Sequence, residues 1–196
     1  MAFNTLHRKD RLILTTIDII NELGINGLTT KEIARRQGVS EGTIFKHYRN
    51  KNELIIATLD HFTQYDSDIF YSAQLRKLGP REAITFYIDS YASYYENYPA
   101  ITAITQAYDV LRYDPELEDK VKQIYRSRAD HMKQMIESAQ EANVISKEEN
   151  SEDLADIISS TCNGICLKWR MNGYNFSLRE KTLVAVNMLL DAFKVS

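Results

Sequence analysis

The sequence predicts an all-α protein of about nine helices. Along most of the 196 residues, apolar side chains recur every three to four positions, which is the period of an amphipathic helix. No segment alternates as a half-buried strand does. The 7 glycines and 3 prolines fall mainly between the apolar segments, and hydrophobic residues make up 44% of the chain, enough to bury a core.

The N-terminal third predicts a long helix followed by two short ones. A broad apolar stripe begins at Leu12 and ends at the glycines Gly24 and Gly27. The segment from Thr29 to Glu32 has the pattern of a capping box and opens a helix that stops at Gly38.

The next two helices are expected to begin at polar caps. Ser40 is expected to cap a third helix that reaches about Tyr48. Asn50 is expected to cap a fourth helix that runs toward Gly79.

The remaining helices are marked by prolines and caps. Pro80, Pro99 and Pro115 each stand where a helix can begin, because the first helical position tolerates a missing N–H. A second capping box runs from Ser177 to Glu180. The expected segments are residues 80–97, 100–112, 115–143, 151–172 and 177–194.

Charge is distributed unevenly along the chain, although its net value is only −3. The first 55 residues carry 9 Lys and Arg against 6 Asp and Glu, whereas the rest carries 15 against 21. This asymmetry favours an N-terminal part that meets an anion. Cys162 and Cys166, four residues apart, are too few for a disulfide framework and are interpreted as small buried residues.

Residues 30–48 predict a helix-turn-helix. Two short helices flank the turn at Gly38, and small Ala34 allows the helices to approach closely. The spacing turns apolar residues inward and leaves a polar face on the second helix. The inward set is Ile33, Ala34, Val39, Ile44 and Tyr48, and the outward set is Ser40, Glu41, Gly42, Thr43, Lys46 and His47.

At these residues the chain resembles the TetR family of bacterial transcriptional regulators. The matching positions are Thr29 or Thr30, Ile33, Ala34, Gly38, Val39, Ser40, Gly42, Thr43, Phe45, His47, Tyr48, Lys51 and Leu54. Two positions depart from the family pattern, since Gln37 replaces the usual Ala and Phe45 the more frequent Tyr. The resemblance covers about the first quarter of the chain.

The resemblance implies a DNA-binding domain over residues 1–50 and a helical ligand-binding and dimerisation domain over residues 51–196. Thr30, Lys31 and Lys51 are then expected to contact phosphates, Lys46 to contact a guanine edge, and Thr43 a phosphate or a thymine methyl group. The expected DNA-binding residues are Thr30, Lys31, Ser40, Glu41, Gly42, Thr43, Phe45, Lys46, His47 and Lys51.

Tyrosines concentrate in the middle of the chain, where ten of the 12 lie between positions 65 and 125. They can pack a core, or they can line an apolar cavity with a few polar points, as the resemblance implies. Neighbouring carboxylates raise the hypothesis of an organic-cation ligand. The candidate ligand-binding residues are Phe62, Tyr65, Tyr87, Tyr91, Tyr94, Tyr95, Tyr108, Cys162 and Trp169.

The last two helices each carry an apolar face. One face has Leu154, Ile158, Thr161 and Ile165, and the other has Leu183, Val186, Leu190 and Phe193. The resemblance implies that these faces form a four-helix homodimer interface, with Gly164 allowing close approach, whereas a monomeric core is the alternative. A dimer implies a palindromic DNA operator with half-sites about 34 to 36 Å apart.

The sequence thus predicts a homodimeric repressor that a small-molecule effector releases from double-stranded DNA. The alternative is a DNA-binding adaptor that recruits a protein without a small ligand. We expect no enzyme, cofactor or metal site, because no nucleophile or metal-ligand spacing is found. No apolar segment is long enough to span a bilayer and no secretory signal is recognised, so a cytoplasmic location is expected.

Overall fold

The structure is a computed structural model that describes residues 7–195. Residues 1–6 and 196, which fall in the two predicted domains, lie outside the described residues. The described part consists of helices joined by turns and loops, with no strand and one isolated antiparallel bridge between Ile145 and Lys194, which confirms the predicted all-α class. The helices are α1 (Arg8–Gly27), α2 (Thr30–Gln37), α3 (Glu41–Phe45), α4 (Lys51–Leu75), α5 (Pro80–Asn97), α6 (Ile101–Gln106), α7 (Tyr108–Leu111), α8 (Glu118–Glu141), α9 (Ser151–Met171) and α10 (Leu178–Ala192).

The described residues contain ten helices, one more than predicted. The expected segment 100–112 is two short helices, because Ala107 leaves regular helical geometry at φ −92° and ψ −2°. Pro80 begins α5 as predicted, and the carboxylate of Glu82 accepts the N–H of Gly79 at 3.2 Å. Pro99 and Pro115 instead stand in the turns before α6 and α8.

The chain packs as two units. Unit 1 comprises Met1–Tyr65 and Pro99–Lys122, and unit 2 comprises Asp66–Tyr98 and Gln123–Ser196. The predicted boundary at residue 50 divides the chain differently, and it stays a prediction about separate domains. No helix in residues 7–195 is long and apolar enough to cross a membrane.

Unit 1 is built around α1. This helix packs against both α2 and α6, and α2 packs against α3. The side chains of Leu12, Ile17, Ile33 and Leu54 are almost fully buried, and each such side chain contributes about 1.5 to 3 kcal/mol through the hydrophobic effect. The helix-turn-helix is therefore stabilised by the apolar core of unit 1.

Unit 2 is held by an apolar core and by one largely buried ion pair. The core joins residues from α4, α5, α8, α9 and α10, among them Phe70, Ile84 and Ile136. Asp66, only 5% exposed, accepts hydrogen bonds from Nε and Nη2 of Arg128 at 2.6 and 3.1 Å. This bidentate pairing compensates the cost of removing both charges from water.

The apolar faces predicted for dimerisation belong largely to the core of unit 2. Leu154, Ile158, Val186 and Leu190 are buried within the chain, because each helix turns its most apolar stripe toward its neighbours. The assignment of those side chains to a dimer interface is therefore wrong. A second set of apolar side chains on α9 and α10 is exposed: Ile157, Leu167, Met171, Val184 and Met188.

Candidate nucleic-acid interface

The turn between α2 and α3 depends on a glycine. Gly38 adopts φ +62° and ψ +36°, a left-handed conformation that L side chains rarely adopt. Its N–H donates to the carbonyl of Arg35 at 3.3 Å, and the N–H of Val39 donates to that of Ala34 at 3.0 Å. A Cβ at Gly38 would meet no atom within 4 Å, so the requirement for glycine is purely conformational.

The start of α2 is capped by Thr29, whose Oγ1 accepts the N–H of Glu32 at 3.1 Å. The reciprocal half of the predicted capping box is not made, since the Glu32 carboxylate accepts from Arg35 and Arg36 at 2.7 Å each. These two hydrogen bonds lower the pKa of Glu32 to about 2. Arg36 also pairs with Glu22 at 2.8 Å, so both arginines are engaged within the protein.

The start of α3 differs from the prediction. Ser40 occupies the N-cap position, but its side chain accepts no backbone N–H there; its Oγ lies 3.1 Å from the Oγ1 of Thr43. The Thr43 N–H donates instead to the backbone carbonyl of Ser40 at 2.9 Å. The helix ends at Phe45, and a tight turn leads to Tyr48. The predicted side-chain cap and the predicted end of this helix are therefore wrong.

The residues that helical spacing predicted to face inward lie on the buried side of the helix-turn-helix. Ile33, Ala34, Ile44 and Tyr48 are all buried, and Val39 is half-buried at the turn. Burial raises the pKa of the Tyr48 phenol. The opposite side of α3 is consequently left open to solvent.

The residues that were predicted to contact DNA are all exposed or half-buried. We call this set the recognition face. Lys31, Ser40, Glu41, Gly42, Phe45, Lys46 and Lys51 are exposed, and Thr30, Thr43 and His47 are half-buried. Phe45 is 48% exposed, although phenyl side chains are more often buried. The individual DNA contacts of these residues stay predictions.

The cations of the recognition face are lysines. Within residues 7–195, Lys31, Lys46 and Lys51 take part in no ion pair, whereas Arg35 and Arg36 are tied to Glu32. Three mobile ammonium groups are suited to phosphates, which they bind as point charges. The sequence alone does not separate these lysines from the paired arginines.

The candidate ligand residues are divided between the two units. Phe62, Tyr65 and Tyr108 belong to unit 1, and the other six belong to unit 2. Phe62 is buried and Tyr65 is exposed, while Tyr108 is half-buried. Their assignment to a ligand site stays a prediction.

The unit 2 tyrosines form a chain of ring contacts along α5. The ring centroids of Tyr87 and Tyr91 are 4.9 Å apart, and those of Tyr91 and Tyr95 are 5.9 Å apart, both in edge-to-face arrangements. Burial raises the pKa of Tyr87 to about 12, and the Cys162 thiol to a pKa of about 12 as well. These groups are therefore neutral at physiological pH. Trp169 is buried in a small separate cluster with Cys166 and Leu178.

The helix-turn-helix geometry agrees with a known family. The model of bacterial regulatory proteins of the tetR family matches residues 12–58, which contain most of α1, all of α2 and α3, and the start of α4. Residues 12–58 form a helix-turn-helix of the TetR family.

Curated relatives match the N-terminal part. The HTH-type transcriptional regulator BetI of Cronobacter sakazakii is 42% identical over 72 residues, which are 37% of this chain and 35% of that protein. BetI of Proteus mirabilis is 39% identical over 75 residues, or 38% of this chain and 37% of its own length. The chain therefore matches little more than a third of these relatives.

Solved structures match nearly the whole chain at low identity. The fatty acid degradation regulator FadR of Bacillus halodurans has a TM-score of 0.83 and 19% identity, and covers 94% of this chain and 96% of its own. FadR of Bacillus subtilis, solved with stearoyl-CoA, has a TM-score of 0.78 and 18% identity, covering 93% and 95%. These likenesses show that the chain has the same fold as these structures.

Gln37, a departure from the TetR pattern, has a structural explanation that the sequence analysis missed. Its Nε2 donates a 2.6 Å hydrogen bond to the Oγ1 of Thr15 on α1. Thr15 is buried, so its hydroxyl needs a partner inside unit 1. The pairing of two polar residues 22 positions apart gives no local signal in a single sequence.

Proposed function

We propose that this TetR-family regulator is a homodimeric repressor that binds a palindromic operator and is released by a small-molecule effector. The observation that carries the proposal is the recognition face: the exposed residues of α3 together with Lys31 of α2, Lys46 after α3 and Lys51 of α4, three exposed lysines that form no ion pair among residues 7–195. Such a surface is suited to a polyanion with a groove that accepts a helix.

In the proposed complex α3 enters the major groove. Thr43 and Lys46 then face base edges, and a lysine that reaches the O6 and N7 atoms of guanine supplies base discrimination. Lys31 at the start of α2 and Lys51 at the start of α4 bind phosphates on either side. Phe45 carries no hydroxyl, so it packs against the sugar-phosphate backbone or a thymine methyl group without a hydrogen bond.

The proposed dimer uses the exposed apolar side chains of α9 and α10. Met171 is 79% exposed and Met188 is 68% exposed, and Ile157, Leu167 and Val184 extend the same two helices. Gly164 is exposed, and a Cβ there would meet no atom of the chain within 4 Å, which leaves room for a partner backbone. Two copies would place two recognition faces on half-sites about 34 to 36 Å apart.

The proposed effector acts by population shift. A ligand of the predicted ligand-binding domain causes release from DNA only if it binds the conformation that cannot bind DNA more tightly than the conformation that can. The two affinities are then linked, so operator must weaken effector binding by the same factor by which effector weakens operator binding.

The test is a selection of DNA duplexes from random and genomic pools on the full chain at about 0.15 M salt, where non-specific phosphate binding is weakened. Recovery of one palindrome supports the proposal. Recovery of a single non-repeated site contradicts the dimer, and recovery of no common sequence by unliganded protein contradicts sequence-specific repression. The last result, together with a co-purifying protein, favours the adaptor.

A further inference from the structure

Two exposed cations that are not part of the recognition face lie beside it. Arg49 stands between His47 and Lys51 in the chain, and both of those residues belong to the recognition face. The Nζ atom of Lys9, in the first turn of α1, lies 5.8 Å from the centroid of the Tyr48 ring, in the turn that leads from α3 to α4. We call Lys9 and Arg49 the flanking pair.

The backbone at Arg49 is held in place, while its side chain is left in solvent. The N–H of Arg49 donates to the Glu53 carboxylate at 2.5 Å, and the N–H of Glu53 donates to the Oδ1 of Asn50 at 2.8 Å. These bonds fix the start of α4. The Arg49 side chain is 90% exposed, and its Nε is 3.4 Å from Glu53, which is long for a charge-assisted hydrogen bond. The guanidinium can therefore exchange Glu53 for a stronger acceptor.

Lys9 reaches the same turn from α1. It is exposed, and it takes part in no ion pair among residues 7–195. A distance of 5.8 Å is at the outer limit of a cation–π contact, so the Tyr48 ring holds the ammonium group only weakly. The N–H of Arg49 is the main cause that lowers the pKa of Glu53, and the charge of Lys9 adds a smaller effect. Lys9 and Arg49 thus stand near the same carboxylate.

Two carboxylates share this region, and both are half-buried. Glu53 accepts the N–H of Arg49, so part of its hydrogen-bonding capacity is used within the protein. Asp10 lies close enough to Tyr48 to help raise the pKa of the phenol, although burial is the larger cause. The cations here, the flanking pair and Lys51, are all exposed. The solvent-facing charge at this edge is therefore positive.

We propose that the flanking pair binds the phosphate backbone of DNA beside the contacts of the recognition face. Each cationic group pairs with a phosphate oxygen, and the guanidinium of Arg49 leaves Glu53 when it does so. The occupant is DNA because the pair continues a surface that the proposed function assigns to a duplex, and because phosphates complement exposed cations. The inference rests on the proposed function for DNA binding itself. It adds contacts that position the duplex without reading its sequence.

The test is the salt dependence of DNA affinity. Each phosphate contact releases counterions and contributes about 0.9 to the slope of the logarithm of the binding constant against the logarithm of salt concentration. A random-sequence duplex is titrated with the full chain, with Lys9→Gln and with Arg49→Gln. We expect each variant to reduce the magnitude of the slope by about 0.9 for every chain bound, and the double variant to reduce it by about 1.8.

Two sets of variants separate phosphate binding from a role in the fold. Lys147→Gln and Arg126→Gln remove exposed cations of unit 2 and should keep the slope of the parent. Lys9→Arg and Arg49→Lys keep the charge and should also keep the slope. A lower melting temperature for Lys9→Gln or Arg49→Gln, with an unchanged slope, would assign that residue to the fold and overturn the inference.

The flanking pair should not change base discrimination. The double variant should lose affinity for a selected duplex and a scrambled duplex by the same factor, because phosphates carry no sequence information. A parental slope in either single variant, or a loss confined to the selected duplex, overturns the inference and leaves sequence recognition standing. A parent chain that binds neither duplex overturns both the inference and the proposed function.

Discussion

The hydroxyl of Thr30 donates a 2.5 Å hydrogen bond to the carboxylate of Glu41, which joins the first residue of α2 to the first residue of α3. Both residues belong to the recognition face. The Glu41 carboxylate repels DNA phosphates. It also occupies the Thr30 hydroxyl, which the family resemblance predicts to contact a phosphate. The hydrogen bond therefore helps to orient α2 and α3, while the negative charge of Glu41 weakens the electrostatic attraction to DNA.

Glu41→Gln should therefore strengthen binding to DNA of any sequence. The amide oxygen can still accept from Thr30, so the helix orientation is kept while one negative charge is removed. We expect a gain of about two- to fivefold in affinity at low salt that shrinks as salt rises. Fluorescence anisotropy with a random duplex measures it, and Glu148→Gln, an exposed change in the loop before α9, is the control. Unchanged binding would contradict the predicted repulsion, and weaker binding would show that Glu41 contributes to the complex.

Gln37→Ala should lower the free energy of unfolding by about 1 kcal/mol, because it leaves the buried hydroxyl of Thr15 without its partner. The double variant Thr15→Val with Gln37→Ala removes both polar groups and should recover most of the loss. Urea denaturation of the three proteins measures this. If the single variant is as stable as the parent, the hydrogen bond contributes nothing.

Asp66→Asn should destabilise the protein by about 2 to 4 kcal/mol, because it leaves the half-buried Arg128 guanidinium beside a neutral group. Asp68→Asn, an exposed change two residues away on α4, should have little effect. Thermal and chemical denaturation compare the two variants. Equal effects would contradict a special role for the buried pair.

Met188→Asp should convert the proposed dimer to a monomer, because it places a charge in the centre of the exposed apolar surface of α10. Leu75→Asp, at a residue 82% exposed at the end of α4, changes the same property away from that surface. Light scattering after size-exclusion chromatography gives the masses. A monomeric parent chain, or a dimeric Met188→Asp variant, contradicts the proposed interface.

The parts of the fold that the sequence predicted are those encoded locally. Thr29, Asn50 and Ser177 each accept a backbone N–H at the start of a helix, and Gly38 has the required positive φ. These features need only a cap or a glycine at the correct distance from an apolar run. The inward set of the helix-turn-helix follows from the helical period for the same reason.

The parts that could not be predicted depend on contacts between distant residues. Helical spacing shows that Val186 and Leu190 share a face, but it does not show whether that face meets the rest of the chain or a second copy. The pairing of Arg36 with Glu22, and the unsatisfied hydroxyl of Thr182, likewise appear only when separate helices are placed together. Which side chains of unit 2 meet one another therefore depends on how its helices pack, and this is not visible in the sequence.

Sequence recognition by the recognition face is tested most directly by titrating a selected duplex and a scrambled duplex, at about 0.15 M salt, with the parent chain and with Lys46→Ala. Lys147→Ala, an exposed lysine in the loop before α9, is the matched control.

We expect the parent to prefer the selected duplex by about 10³-fold or more, and Lys147→Ala to keep this ratio. Lys46→Ala should lower the ratio by about 5- to 150-fold, the effect of one good base contact. Equal affinity of the parent for both duplexes, or an unchanged ratio in Lys46→Ala, would contradict sequence recognition through this face.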